Sequence, residues 1–374
     1  MEPTPRGREA VRRATIGTGS RYFPALRMYF AAYDRSSRPD YPPQTESGPR
    51  NLKTRRANEA KTRFYQIRAI TYCVVTLLFS QSVVFSAQIY WTETAERIGG
   101  TQAVIRRSNL DGSNVTDVVT TGLDSPRQIA IDSSTGMMYW ADSDTIRRAN
   151  LDGSGIVDLI AGEDGAYGIA LDVQSGKIYW TNFEGNEIRR ADLDGNNSET
   201  LLDTGSMGPT GIALDTVNRE IYFTSNTNNF AVRRLDFDGL NPVEVVTTQI
   251  RGSGGIALDV SDSKMYYTSY NEDISRRADL DGANVEDLYT GLVSPMDVAL
   301  DIPAGMMYWV DFDAGNNGAV LRAPMDGNGP TELLFEGANN PLGITIHVPE
   351  PSTATMLAIG VALVFTRAFF ARRM

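Results

Sequence analysis

The residue types able to do chemistry in this chain are mostly carboxylates. There are 46 Asp and Glu, one histidine and one cysteine. Cys73 lies inside an apolar run, and His347 ends a strand-like segment, where it is expected to pack for structure. A Ser-His-Asp or Cys-His arrangement is therefore out of reach unless His347 itself takes part. Carboxylates alone can serve acid–base chemistry or hold a cation, and two sets stand out. Asp132, Asp172, Asp215, Asp259 and Asp301 recur at the ends of similar apolar segments and are expected to cap turn backbone, with a shared cation as the competing reading. Asp192-Leu193-Asp194-Gly195-Asn196 and its counterparts at 236–239 and 279–282 partly match a calcium loop. The twelve-residue ligand set with its closing glutamate is missing, so Asp-Gly reads as a hairpin turn. No cofactor and no metal ligand set is assigned; Ca2+ is the cation that such acids would suit.

The elements that position these acids repeat. Ile89-Tyr90-Trp91-Thr92 is followed by Met138-Tyr139-Trp140-Ala141, Ile178-Tyr179-Trp180-Thr181, Ile221-Tyr222-Phe223-Thr224, Met265-Tyr266-Tyr267-Thr268 and Met307-Tyr308-Trp309-Val310. The second aromatics are spaced by 49, 40, 43, 44 and 42 residues. Before each pair after the first comes an apolar segment such as Ile169-Ala170-Leu171-Asp172, and a sixth, Ile344-Thr345-Ile346-His347, closes the array. After each pair comes a basic segment, then Asp-Gly, then a polar–apolar segment. Four short strands per ~40–45 residues are what a β-propeller needs. The fold class expected is all-β, a six-bladed β-propeller over residues 88–347. Its last strand supplies what the first blade lacks, so that no long edge stays open. The aromatic pairs are expected in the core. The doubled arginines at 106–107, 147–148, 189–190, 233–234 and 276–277 point one residue to each sheet face, so one of each pair can reach the adjoining blade's acids.

These segments resemble the low-density-lipoprotein-receptor class B repeat, the YWTD β-propeller family, over roughly residues 89–347. The fourth motif position departs from it: Asp142 and Asp311 keep the aspartate, whereas Glu93, Asn182, Ser225 and Ser269 replace it. A WD-repeat propeller is disfavoured, because that type leans on a Gly-His pair and this chain has one histidine. The resemblance implies a module that binds protein ligands on one face. That face gathers loops where function concentrates. Here it would hold Arg127, Tyr167, Thr210, Met296 and Leu342 near the channel. Around them would lie Asp142, Asp144, Asn182, Glu184, Asn226, Tyr270, Asp311 and Asp313. The expected function is a non-enzymatic binding module for an extracellular protein or polysaccharide. The alternatives are a gluconolactonase-like hydrolase with a divalent ion in the channel, and a purely structural matrix protein.

Charge narrows the partners. Residues 69–347 carry 17 Lys and Arg against 39 Asp and Glu, a net −22, while residues 1–68 carry +9. Nucleic acid is not expected as a partner, since binding it begins with neutralising phosphates. Cationic partners or metal ions suit this domain better.

The two ends read as sorting signals. Residues 1–60, rich in Arg, Pro and Ser, are expected to be disordered: a genuine basic leader, or a start site placed too far upstream. In residues 61–87, Lys61, Arg63 and Arg68 precede an apolar run and then small residues, the layout of a secretory signal peptide cut after Ser86 or Ala87. At the other end, Pro349-Glu350-Pro351 precedes an apolar run from Ala354 to Thr366, then Arg367, Arg372 and Arg373. This tail, residues 348–374, resembles a PEP-CTERM sorting tail. The resemblance implies export through a bacterial inner membrane, transient residence in that membrane, and removal by an exosortase-type protease. Release to the cell surface, outer membrane or extracellular matrix would follow. A permanent single-span anchor is the alternative.

Overall fold

The computed structural model describes residues 87–95, 102–226, 231–247, 251–312 and 318–349. The basic leader, all but the end of the signal segment, Asp313, and the tail from Glu350 through Pro351 to Arg372 and Arg373 lie outside the described residues.

The described chain forms 24 strands in six antiparallel sheets of four. Each unit becomes a sheet because β-branched and aromatic residues alternate with polar ones and turn residues separate the runs. Blade 1 runs, from its inner to its outer strand, β24 (Pro341–His347), β1 (Gln88–Glu93), β2 (Val104–Asn109) and β3 (Thr116–Val119). Blade 2 is β4 (Pro126–Asp132), β5 (Met137–Asp142), β6 (Thr145–Asn150) and β7 (Val157–Ala161). Blades 3, 4 and 5 repeat the order, and blade 6 ends it with β20 (Pro295–Asp301), β21 (Met306–Asp311), β22 (Gly318–Pro324) and β23 (Glu332–Ala338). The chain's last described strand pairs with its first: Gln88 opposes His347, and Trp91 opposes Ile344. This closes the ring as the sequence anticipates.

The aromatic pairs form the core. Trp91, Trp140, Trp180 and Trp309 are fully buried, each in a cluster between two blades. The Asp-Gly turns serve the same contact. In Gly112, Gly153, Gly195, Gly239 and Gly282, φ lies between 78° and 87°, and a Cβ would come within 2.6 Å of a carbonyl oxygen on the outer strand of the preceding blade. Only glycine allows both the conformation and that approach. The strand-end aspartates cap turns: Asp132 accepts from the Ser134 and Thr135 amides, and Asp215 from those of Val217 and Asn218. At the sixth such position His347 is buried, its Nδ1 3.0 Å from Ser133 Oγ. Burial and the Arg107 charge lower its affinity for a proton.

The doubled arginines do cross to the adjoining blade, but not to its acids. In four of the five pairs the second member reaches a backbone carbonyl instead: Arg107 to Leu151, Arg148 to Leu193, Arg190 to Phe237 and Arg277 to Met325, while Arg234 pairs with Glu220 of its own blade. Their carboxylate partners lie within the same blade, as for Arg277 with Glu286. The physical reason is reach. The tip of the next blade's Asp-Gly hairpin folds over the guanidinium and presents a carbonyl before any carboxylate.

Candidate ligand-binding face

The face begins with the ring of inner strands. In blades 1, 3, 4 and 5 the threonine of the aromatic motif points at the next blade. Thr92, Thr181, Thr224 and Thr268 donate to the carbonyls of Arg127, Thr210, Gly254 and Met296 at 2.6–2.9 Å. Three of these hydroxyls also accept an amide of their own blade's inner strand, from Gly343, Gly168 and Gly211. The threonine is thus a clasp between successive blades. Glycine faces it because the inner strands leave no room for a side chain: a Cβ on Gly168 would come within 2.3 Å of the Thr210 carbonyl.

Blades 2 and 6 have Ala141 and Val310 in place of the threonine, and there the ring glycine becomes Gln128 and Asp297. Gln128 Oε1 accepts the Ile169 amide of blade 3 at 2.9 Å, and Asp297 Oδ2 accepts the Ile344 amide of blade 1 at 2.9 Å. Blade 1 lies between the two, and across its Gly343 Gln128 Nε2 donates to Asp297 Oδ1 at 3.0 Å. An amide–carboxylate link therefore bridges these blades beside the axis. Asp297 is 2% exposed, and burial pushes its carboxyl up to about 7 against three hydrogen bonds that lower it.

Around this link the structure brings part of the expected face together. The Arg127 guanidinium lies 4.6 Å from the centre of the Tyr167 ring, and Phe183 packs against the same ring at 6.2 Å. Tyr167 is close enough to Tyr270, Asp297 and Arg127 for their charges to act on its hydroxyl, whose proton burial holds on above the usual range. Asn226 donates to the Tyr270 hydroxyl at 2.5 Å. Arg127, Tyr167, Asn226 and Tyr270 thus come from blades 2, 3, 4 and 5. Met296 and Leu342 are half-buried beside them, Thr210 is fully buried, and Asp144 and Glu184 stand exposed on loops.

Asp142, Asn182 and Asp311 are buried at 1%, 1% and 3% exposure. They hold the loops between blades. Asp142 accepts the amides of Asp124 and Ser125, the Trp140 indole and the Arg147 guanidinium. Glu93 does the same with the Asn339 amide, Trp91 and Arg106. Where the fourth motif residue has no acid, one arrives from elsewhere. Glu163 takes Trp180, Asn182 and Arg189, and Glu272 takes Ser269, Arg276 and the Arg251 amide. In blade 4, Arg233 donates to Ser225. Sequence reasoning missed Gln128, Asp297, Glu163 and Glu272. For the first two a signal existed, since the repeats that lose the threonine are the ones that lose the glycine. Among the described residues no group of three His, Cys, Asp or Glu converges as a metal site.

Comparison with known proteins agrees with this geometry. The chain is 32% identical over 172 residues to the vitellogenin receptor Yl of Drosophila melanogaster, covering 45% of this chain and 8% of that one. It is 34% identical over 139 residues to a human low-density lipoprotein receptor-related protein 5-like protein, covering 36% of this chain and 53% of that one. The YWTD resemblance holds. This is a six-bladed propeller with relatives in the low-density-lipoprotein-receptor family, although it spans about half or less of those relatives' length. Among solved structures, a chain of a nidogen/laminin complex matches with TM-score 0.61 at 20% identity, over 71% of this chain and 99% of that one. TolB of Acinetobacter baumannii matches with TM-score 0.58 at 14% identity, over 70% and 67%. At these identities both speak for the fold alone. Residues 347–373 match the PEP-CTERM protein-sorting motif, which indicates export to the surface or exterior. Among the described residues no helix is long and apolar enough to cross a membrane.

Proposed function

We propose that this propeller is an exported, non-enzymatic binding module that takes an extracellular protein or polymer at the mouth of its channel. The observation that carries the reading is the convergence there of Arg127, Tyr167, Asn226 and Tyr270 from four blades. A cation, two phenols and an amide brought together match the mixture of rigid aromatic and polar groups found at recognition surfaces. Buried acids such as Asp142 and Glu93 are already hydrogen-bonded within the domain, so they hold the loops. Receptor-type relatives favour binding over turnover, and the sorting tail favours a ligand outside the cell. In this reading an exosortase-type protease processes the tail from Pro349-Glu350-Pro351 onward, with residues 61–87 as the export signal and residues 88–347 as the released domain.

The test is binding of the purified propeller to fractionated surface proteins and polysaccharides of the producing cell, by surface plasmon resonance. Tyr167→Ala and Tyr270→Ala are each expected to weaken the specific interaction at least tenfold, the size of a central aromatic contact. Asp281→Asn, on an exposed turn at the opposite end of the blades, should leave it unchanged. Equal effects of all three substitutions would sink the assignment to the channel mouth, and lactone turnover with a divalent ion would sink the non-enzymatic reading.

A further inference from the structure

The six blades are internal controls for one another, and blade 6 breaks their pattern at a charged position. In five blades the residue opposite the second aromatic is an arginine: Arg106, Arg147, Arg189, Arg233 and Arg276. In blades 1, 2, 3 and 5 its guanidinium meets the carboxylate that anchors the loop, and in blade 4 it meets Ser225. In blade 6 the residue opposite Trp309 is Leu321, and the residue opposite that on the outer strand is Leu333. The carboxylate has nevertheless been kept. Asp311 is 3% exposed and accepts the Val293 amide at 3.2 Å through Oδ2, with the Trp309 indole beside it favouring the charged form, while its Oδ1 has no hydrogen-bond partner among the described residues. Asp273, in the neighbouring loop, adds a second negative charge.

We propose that, among the described residues, blade 6 leaves a guanidinium slot unfilled, in which Asp311 receives an arginine side chain from a partner protein. The other blades supply the template. In blade 3, Arg189 lies 5.6 Å from the Trp180 ring centre with Nη1 2.9 Å from its carboxylate; in blade 1, Arg106 lies over Phe335 of the preceding blade's outer strand. Blade 6 offers the same walls: Trp309, and Tyr289 stacked on it at 5.9 Å from the outer strand of blade 5. Leu321 is shorter than arginine and does not reach the carboxylate, and half-exposed Leu333 offers apolar cover for the incoming methylene stem. A planar fork matches a carboxylate bidentately, and the −22 charge of the domain draws basic segments toward it. The slot is framed by blade 6 and the outer strand of blade 5, and it does not depend on the reading proposed for the channel mouth. The bland alternative is that Asp311 serves only to hold Val293.

The whole chain's propeller, with its Asp residues 13C-labelled, is titrated with N-acetyl-arginine methylamide and with the lysine analogue. The slot is expected to bind the arginine probe more tightly, and saturating probe should lower the Asp311 midpoint by at least one pH unit, since a nearby cation favours the charged form. Asp311→Asn keeps an acceptor for Val293 yet should weaken the probe at least tenfold. Leu321→Arg, which fills the slot from within, should do the same while raising the melting temperature. Leu321→Met should bind as the parent does. An unmoved Asp311 midpoint, lysine binding as tight as arginine, or full binding by folded Asp311→Asn or Leu321→Arg would each overturn the proposal.

Discussion

Blades 1, 3, 4 and 5 fasten themselves to their neighbours with a threonine and a glycine, whereas blades 2 and 6 use a longer polar side chain and no hydroxyl. The two solutions satisfy the same need. Buried backbone groups at the ring must find partners, because an unmet one costs about 1–3 kcal/mol. Thr92 and Thr181 meet it with a hydroxyl that donates forward and accepts backward. Gln128 and Asp297 meet it by reaching one blade ahead. The difference teaches that the second solution carries a charge into the axis. It also couples blades 2 and 6 to each other across blade 1, which no threonine does.

Four experiments break or sharpen that comparison. The largest effect is expected from Gly255→Ala. Its Cβ would fall 1.9 Å from Asp297 Oδ1 and 2.8 Å from Asp297 Cα, so the ring must open. We expect a loss of about 4 kcal/mol in denaturant unfolding, at the upper end for overpacking. Next comes pH. The Asp297 carboxyl sits near 7 when folded and near the ordinary aspartate value when unfolded. Between roughly pH 4 and 7 the unfolded chain therefore binds fewer protons, and stability falls as pH rises through that window. The fall is on the order of 4 kcal/mol, is complete above about 7, and should vanish from the pH profile of Asp297→Asn. Asp311, raised to about 6, acts in the same direction over a narrower window. Third, Thr224→Ala strands the Gly254 carbonyl and the Gly211 amide and should cost about 2 kcal/mol. Smallest is the swap. Ala141→Thr together with Gln128→Gly rebuilds the common pattern in blade 2, and its unfolding free energy should lie within about 1 kcal/mol of the parent, with each single change worse than the pair.

The fold could be read from spacing because each blade repeats the same burial problem. Tyr-Trp marks a second strand, Asp-Gly marks a turn, and an Ile-Ala-Leu-Asp segment with nothing before it in the first repeat requires a strand from the far end of the chain. The face was legible only in part. Arg127, Tyr167, Asn226 and Tyr270 followed from which loops share a side of the ring. Asp142, Asn182 and Asp311 share that side too, but their side chains turn inward, because Asp142 and Asp311 accept loop amides and Asn182 donates to Glu163. Nor could spacing show that Glu163 and Glu272 replace missing motif acids, since each comes from a loop whose path depends on the neighbouring blade. Leu321 was visible as the gap in the series of doubled arginines; its meaning needed the buried oxygen opposite.

The pairing of Gln88 with His347 has a consequence for how the domain is held. Both ends of the ring depart side by side from the underside, opposite the channel mouth. A tether at either terminus, or at both, therefore pulls at one point and leaves the mouth pointing away from the attachment, free to sample whatever diffuses past.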